Sequence, residues 1–238
     1  MAVALEGPST VVAVMQPYFA PYGGYYRLLA AADVFVIFDC VQFPRRGWVH
    51  RNRLADANGE PAWLTLPLKP APYEAPISAM EFADGAPARM AERLRAFPSL
   101  QSLPEQAARL LHAAPFHGPL VDYLEAQIEV ACVFIGVRPR LIRSSTLQIP
   151  PELKAQDRVL AILGALDTSD YINAPGGRDL YDEAAFAARG IRLDFLEPYA
   201  GPSWSLLQRI AQDAEACRAE ILAQTPVVRQ PCNPRPAA

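Results

Sequence analysis

Two short runs without a polar residue set the class of fold. Val11–Met15 reads Val-Val-Ala-Val-Met, and Val34–Phe38 reads Val-Phe-Val-Ile-Phe. A strand with one wet face alternates apolar and polar residues. One that is apolar throughout has both faces covered, as in the parallel sheets of α/β proteins. Between the runs, Tyr25–Ala32 has the spacing of about two helical turns, and the link is long enough for a short crossover. The segment predicts a βαβ unit with the two runs as neighbouring parallel strands.

The rest of the chain alternates in the same way. Strands are predicted at Ala62–Leu68, reached through the turn Asp56–Gly59, and at Ile77–Phe82, Arg140–Arg143, Tyr171–Asn173 and Ile191–Leu196. Helical spacing marks Ala86–Ala96, Pro104–Ala114, Pro119–Ile135 (stopped by Gly136), Lys154–Leu166 and Leu180–Arg189. A last helix runs from a Ser203 cap to about Gln224. The fold class expected is α/β: a mainly parallel, Rossmann-like sheet with a helical insertion at about residues 86–136. Residues 1–225 are expected to form a single domain, followed by a disordered Pro-rich tail over 226–238.

Composition excludes several functions. With 51% apolar and 20% charged residues the chain is globular, and its net charge of −3 creates no field for nucleic acid. The four cysteines (Cys40, Cys132, Cys217, Cys232) show no metal-ligand spacing, so neither a metal nor a structural disulfide is expected. No run approaches the ~20 apolar residues needed to cross a bilayer. The opening MAVALEGPST lacks a basic stretch before an apolar one. A cytoplasmic location without membrane insertion is the expectation.

Polar and cationic residues concentrate where the apolar runs stop. The turn Gln16–Tyr25 includes Tyr18, Gly24 and Tyr25 and opens a helix, a position where backbone N–H groups can meet an anion. Its glycines allow close approach of a ligand, although they form neither a Walker nor a Rossmann glycine motif and no His-x-Gly-His is present; a tight structural turn is the alternative. Asp39 ends the second run and needs a partner there, since unpaired burial of a carboxylate is expensive. Arg46, Arg51 or Arg53 can be that partner, or Asp39 can take a proton from an amine.

The stretch Arg45-Arg46-Gly47-Trp48-Val49-His50-Arg51-Asn52-Arg53 interleaves forked cations with an aromatic and an amide. That combination suits a phosphate or carboxylate. A solvated charge run is the plainer reading. His50 is the histidine nearest these candidates, a possible base with Cys40 as nucleophile; a passive pair is the alternative. Asn173, Gly176 and Gly177 form a second strand-to-helix turn, expected on the same sheet edge as Gln16 and able to hold a second substrate.

The residues Gln16-Pro17, Pro21, Gly24-Tyr25, Asp33-Val34-Phe35, Asp39, Val41-Gln42-Phe43, Arg46, Trp48, Arg51-Asn52-Arg53 and Trp63-Leu64 together resemble the WbqC-like family. The resemblance continues through Tyr171-Ile172-Asn173, Gly176-Gly177, Leu180-Tyr181 and Ile191–Leu196. It implies decoration of a sugar or small metabolite in O-antigen or natural-product biosynthesis, with amide-forming acyl or aminoacyl transfer as the usual suggestion.

The expected activity is transfer from an activated, thioester-type donor to an amine or amino sugar. The donor would be a CoA ester or an acyl or peptidyl carrier protein, and no cofactor is expected. Asp39, His50 and Cys40 are the catalytic candidates. Gln16, Tyr18, Gly24, Tyr25, Arg46, Trp48, Arg51, Asn52, Arg53, Asn173, Gly176 and Gly177 are the binding candidates. Nucleotidyl transfer and a non-catalytic binding module are the alternatives.

Overall fold

A computed structural model describes residues 10–225. Five parallel strands form the main sheet: β1 (Val11–Met15), β2 (Val34–Ile37), β5 (Arg140–Arg143), β6 (Asp170–Asn173) and β7 (Arg192–Phe195), in the order β5-β2-β1-β6-β7. β1 pairs in parallel with β2, as the two apolar runs predict, with Val12 opposite Val34 and Met15 opposite Ile37. The order reverses at β1. Crossovers before the reversal, through α1 (Gly23–Ala30) and α4 (Leu120–Ile135), cover one face. Crossovers after it, through α5 (Ala155–Ala165) and α6 (Glu183–Ala187), cover the other.

Burial explains the uninterrupted apolar runs. Ala13, Phe35 and Ile37 pack under α1 and α4, while Val12, Val14, Val34 and Val36 pack against Val159, Leu160, Leu163 and Phe186. Successive side chains meet opposite cores, so no position is left for a polar residue.

Between β2 and β5 lie a two-stranded antiparallel hairpin, β3 (Arg51–Ala55) with β4 (Pro61–Thr65), then α2 (Ala86–Leu94) and α3 (Glu105–Leu111). The helices of the expected insertion are therefore present at α2, α3 and α4. The expected strand at Ile77–Phe82 is instead a 3-10 turn at Ile77–Ala79 followed by isolated bridges, Leu68 to Phe82 and Glu81 to Pro119. The segment has no long partner strand, so its extended residues pair one at a time.

The expected helix Leu180–Arg189 shortens to α6, and the expected last helix is two: α7 (Leu206–Gln212) and α8 (Ala214–Ala223). Asp213 separates them. Its backbone is extended (φ −160°) and its carboxylate accepts from Ala216 N at 2.9 Å, capping α8. Ser205, rather than Ser203, stands at the start of α7, and its hydroxyl donates to Ala20 O instead of capping. The Pro-rich tail 226–238 lies outside the described residues.

Candidate functional site

All strands of the main sheet are parallel, so their carboxyl ends share one edge. Gln16 follows β1, Asp39 and Cys40 follow β2, Ser144 and Ser145 follow β5, and Asn173 closes β6. Gln16 and Asn173 flank the reversal of strand order, where neighbouring crossovers leave to opposite faces and open a crevice. The expected common edge for these two turns is what the fold produces.

Asp39 is fully buried, yet its partner is none of the arginines expected. Oδ1 accepts from Ser144 Oγ at 2.9 Å and Ser145 N at 2.8 Å; Oδ2 accepts from Ser145 Oγ at 2.6 Å. The β2–β5 register sets Ile37 opposite Arg143, which brings the residues just beyond both strands together. Ser144 is buried and saturated, because its oxygen also accepts from Asp39 N and Cys40 N. Ser145 is exposed. The hydroxyl run Ser144-Ser145-Thr146 directly after a predicted strand was the available signal for this cluster.

Cys40 and His50 each meet other neighbours, in keeping with the passive alternative rather than a nucleophile and its base. Arg158, on α5, reaches the Cys40 carbonyl at 3.0 Å and its sulfur at 3.4 Å. His50 packs on Phe43 at 4.9 Å, and its buried Nδ1 has no hydrogen-bond partner among the described residues. Burial, with Arg51, Arg45 and Arg93 adding, pushes its pKa from 6.5 down to about 4. The unfolded chain therefore binds the extra proton between these two values, and stability is lost as pH falls through that window. Replacing His50 by Gln removes the loss. Between neutral pH and about pH 4 the wild type should lose roughly 1–2 kcal/mol relative to His50→Gln, after allowing for solvent screening at a partly exposed ring. Denaturant melts of both proteins across that range provide the check.

The turn after β1 serves a different purpose from the one expected. A Cβ at Gly23 would lie 2.4 Å from the Tyr199 hydroxyl, and one at Gly24 would lie 2.3 Å from the Tyr22 ring. The glycines make room for tyrosines of this chain, as in the alternative of a tight structural turn. Tyr25 is likewise structural: it is buried against Tyr18, Tyr26 and Phe35, and its hydroxyl donates to Gln16 O at 3.0 Å. Tyr18 remains half-buried, with its pKa raised by burial and by Tyr22. The Gln16 side chain is half-buried and bonds no protein group among the described residues.

On β6, Asn173 is buried and Oδ1 accepts from Ala174 N at 2.7 Å. A Cβ at Gly177 would meet Asn173 Nδ2 at 2.6 Å, whereas one at Gly176 would meet open space. Gly177→Ala should therefore displace Asn173 and cost about 1–3 kcal/mol, as overpacking does. Gly176→Ala should stay within about 0.5 kcal/mol of the parent. Chemical denaturation of the two variants separates a glycine held by packing from one facing solvent.

Part of the arginine stretch is a strand rather than a loop. Arg51 and Arg53 face outward from β3, and Asn52 and Leu54 face inward. Asn52, expected to touch ligand, is only 3% exposed and fully committed: Nδ2 donates to Phe19 O at 2.9 Å and Ala20 O at 2.7 Å, and Oδ1 accepts from Arg53 N at 2.7 Å. It fastens the hairpin to the turn after β1. A polar residue on the inner face hid this strand from the hydrophobic pattern.

The outer face carries stacked cations and rings. Arg51 lies 4.1 Å from the Trp63 ring centre, Arg53 lies 5.4 Å from that of Trp48, and the two indoles are 5.1 Å apart. Arg51 also donates to Gly47 O at 3.3 Å and to Arg46 O at 2.6 Å. Arg46 and Arg53 are exposed, and among the described residues none of Arg45, Arg46, Arg51, Arg53 and Arg93 forms an ion pair. A net-negative chain thus presents a cationic, aromatic face beside the sheet edge. Among the described residues no group of three His, Cys, Asp or Glu side chains is placed to hold a metal, and no helix is long and apolar enough to cross a membrane.

These features define an α/β protein with a Rossmann-like parallel sheet and polar groups gathered at its carboxyl edge. The chain belongs to the WbqC-like protein family, whose pattern matches residues 16–209 and so spans the sheet edge and the hairpin. It is also similar to an uncharacterized protein of Mycobacterium tuberculosis (strain ATCC 25618 / H37Rv), with 24% identity over 197 residues, covering 78% of this chain and 81% of that one. No solved structure matches.

Proposed function

We propose that the protein is a small-molecule transferase that forms an amide, moving an acyl or aminoacyl group from a thioester-type donor to an amine or amino sugar. The observation that carries this reading is the Asp39 carboxylate: it is buried at the sheet's carboxyl edge and linked to the surface through the Ser145 hydroxyl. Amide formation from a thioester needs a proton acceptor and positioning, and both are available from side chains. Gln16 and Asn173 flank the crevice for the reacting groups. The face of Arg46, Arg53 and Trp48 suits the phosphates of a CoA or phosphopantetheine donor. Membership of the WbqC-like family agrees with a biosynthetic role.

The test is a panel of acetyl, glycyl and longer acyl thioesters of CoA and pantetheine, each offered with amines and amino sugars. Thiol release and amide mass are followed together. Amine-dependent thiol release supports the reading. Pyrophosphate release from a nucleoside triphosphate and a sugar phosphate would replace it with nucleotidyl transfer. Donor binding without turnover would replace it with a binding module.

Binding of the donor is expected to depend on Arg53. Its guanidinium accepts stacking but makes no hydrogen bond to protein among the described residues, so it is free for an anion. Arg53→Ala should weaken CoA binding by about 1.5–3 kcal/mol, and Arg53→Lys should rescue it poorly because an ammonium lacks the planar fork. The fluorescence of Trp48 and Trp63 reports binding directly.

A further inference from the structure

We propose that Ser145 is a nucleophile activated by Asp39, so that transfer passes through an acyl group held on the Ser145 oxygen. Three observations carry this. Ser145 Oγ donates to Asp39 Oδ2 at 2.6 Å, within the range of a charge-assisted O–H···O⁻ bond. Asp39 is itself held in place by Ser144 Oγ and Ser145 N on its other oxygen. The carboxylate is fully buried while Ser145 is exposed, so an outside carbonyl can reach the hydroxyl but not the base. A nucleophile bonded to a base, with the base oriented by a third group, is the arrangement that activates a weak nucleophile. The Cys40–His50 pair lacks it, since the thiol meets Arg158 and the imidazole packs on Phe43.

The chemistry balances without a further reactant. Ser145 Oγ attacks the thioester carbonyl carbon as its proton passes to Asp39 Oδ2. The C–S bond breaks, and the sulfur leaves as a thiol with that proton. The acceptor amine then attacks the O-acyl serine. The C–O bond breaks, and the amine's proton passes to the departing Ser145 oxygen, which restores the hydroxyl that donates to Asp39 Oδ2. The acyl part of this scheme rests on the transferase reading above; the activation of Ser145 does not.

Diisopropyl fluorophosphate tests the activation on the full chain without a known substrate. The serine oxygen replaces fluoride at phosphorus, and the adduct is located by peptide mass spectrometry. The expected result is labelling of Ser145 in preference to Ser102 and Ser203, which are exposed and bonded to no carboxylate among the described residues. Ser145→Ala should abolish the adduct, and Asp39→Asn should slow its formation by about 10²-fold. No adduct on Ser145, labelling no faster than at Ser102, or an unchanged rate in folded Asp39→Asn would each overturn the proposal. The comparison of serines within the wild type stands even where Asp39→Asn does not fold. In the thioester panel, Ser145→Ala should lose amide formation. An adduct on Ser145 with no thioester consumed leaves the dyad standing and removes the acyl-transfer reading. Amide formation retained in Ser145→Ala removes the acyl-serine step and leaves that reading standing.

Discussion

Asp39→Asn is expected to lower turnover by about 10²–10⁴-fold while leaving donor binding almost unchanged. Asparagine keeps the size of the side chain. Its carbonyl can still accept from Ser144 Oγ and Ser145 N, the two bonds that now hold Oδ1. What disappears is the acceptor facing Ser145 Oγ, because an amide N–H₂ cannot take a proton. Among the described residues no hydrogen bond or ion pair joins the cationic face on β3 and β4 to this cluster, so that face stays intact. The expected signature is a fall in kcat with little change in the Kd for CoA, alongside an unaltered far-ultraviolet spectrum. A parallel loss of donor affinity and turnover would instead mean that Asp39 organises the binding site. Cys40→Ser, by contrast, should be nearly silent in turnover, since its sulfur meets Arg158 rather than a base.

The second large effect is on stability. Asn52→Ala should cost about 2–4 kcal/mol, because it strands the buried Phe19 O, removes the partly buried bond from Arg53 N, and leaves a small void. Ala20 O keeps the Ser205 hydroxyl and is the least affected. For a chain of this size the midpoint of thermal unfolding should fall by roughly 5–15 °C. The loss has a functional consequence, because Asn52 ties β3 to the turn that follows β1. Loosening that tie should weaken CoA binding even below the melting range. Ala20 makes the position more sensitive. Its φ of 39° is in the left-handed region that alanine rarely adopts, and it is held there by the donors Asn52 and Ser205 on its carbonyl and by Gln127 Oε1, which accepts from its N–H.

The strands of the main sheet were legible because their signal is local. Val11–Met15 and Val34–Phe38 are apolar at every position, and a strand covered on both faces requires nothing else. Parallel pairing, the shared carboxyl edge and the nearness of Gln16 to Asn173 follow from that pattern and from right-handed crossovers. The clustering of arginine with tryptophan was equally visible, and among the described residues its arginines form no ion pair. The hairpin strand β3 was missed because Asn52 occupies an inward position where the pattern calls for an apolar residue. The break at Asp213 was missed because apolar spacing continues through it.

The sequence by itself thus determined the layer architecture and which edge carries the polar groups, since these depend on periodicity and strand direction. Only the tertiary structure decided what each polar group does. Asp39 bonds serines 105 and 106 residues away. Gly23 and Gly24 receive Tyr199 and Tyr22, and Asn52 spends its amide on backbone carbonyls. A hydrogen bond closed across so long a span leaves no periodicity in the chain. It exists only once β2 and β5 lie side by side, and that register is set by the core beneath them.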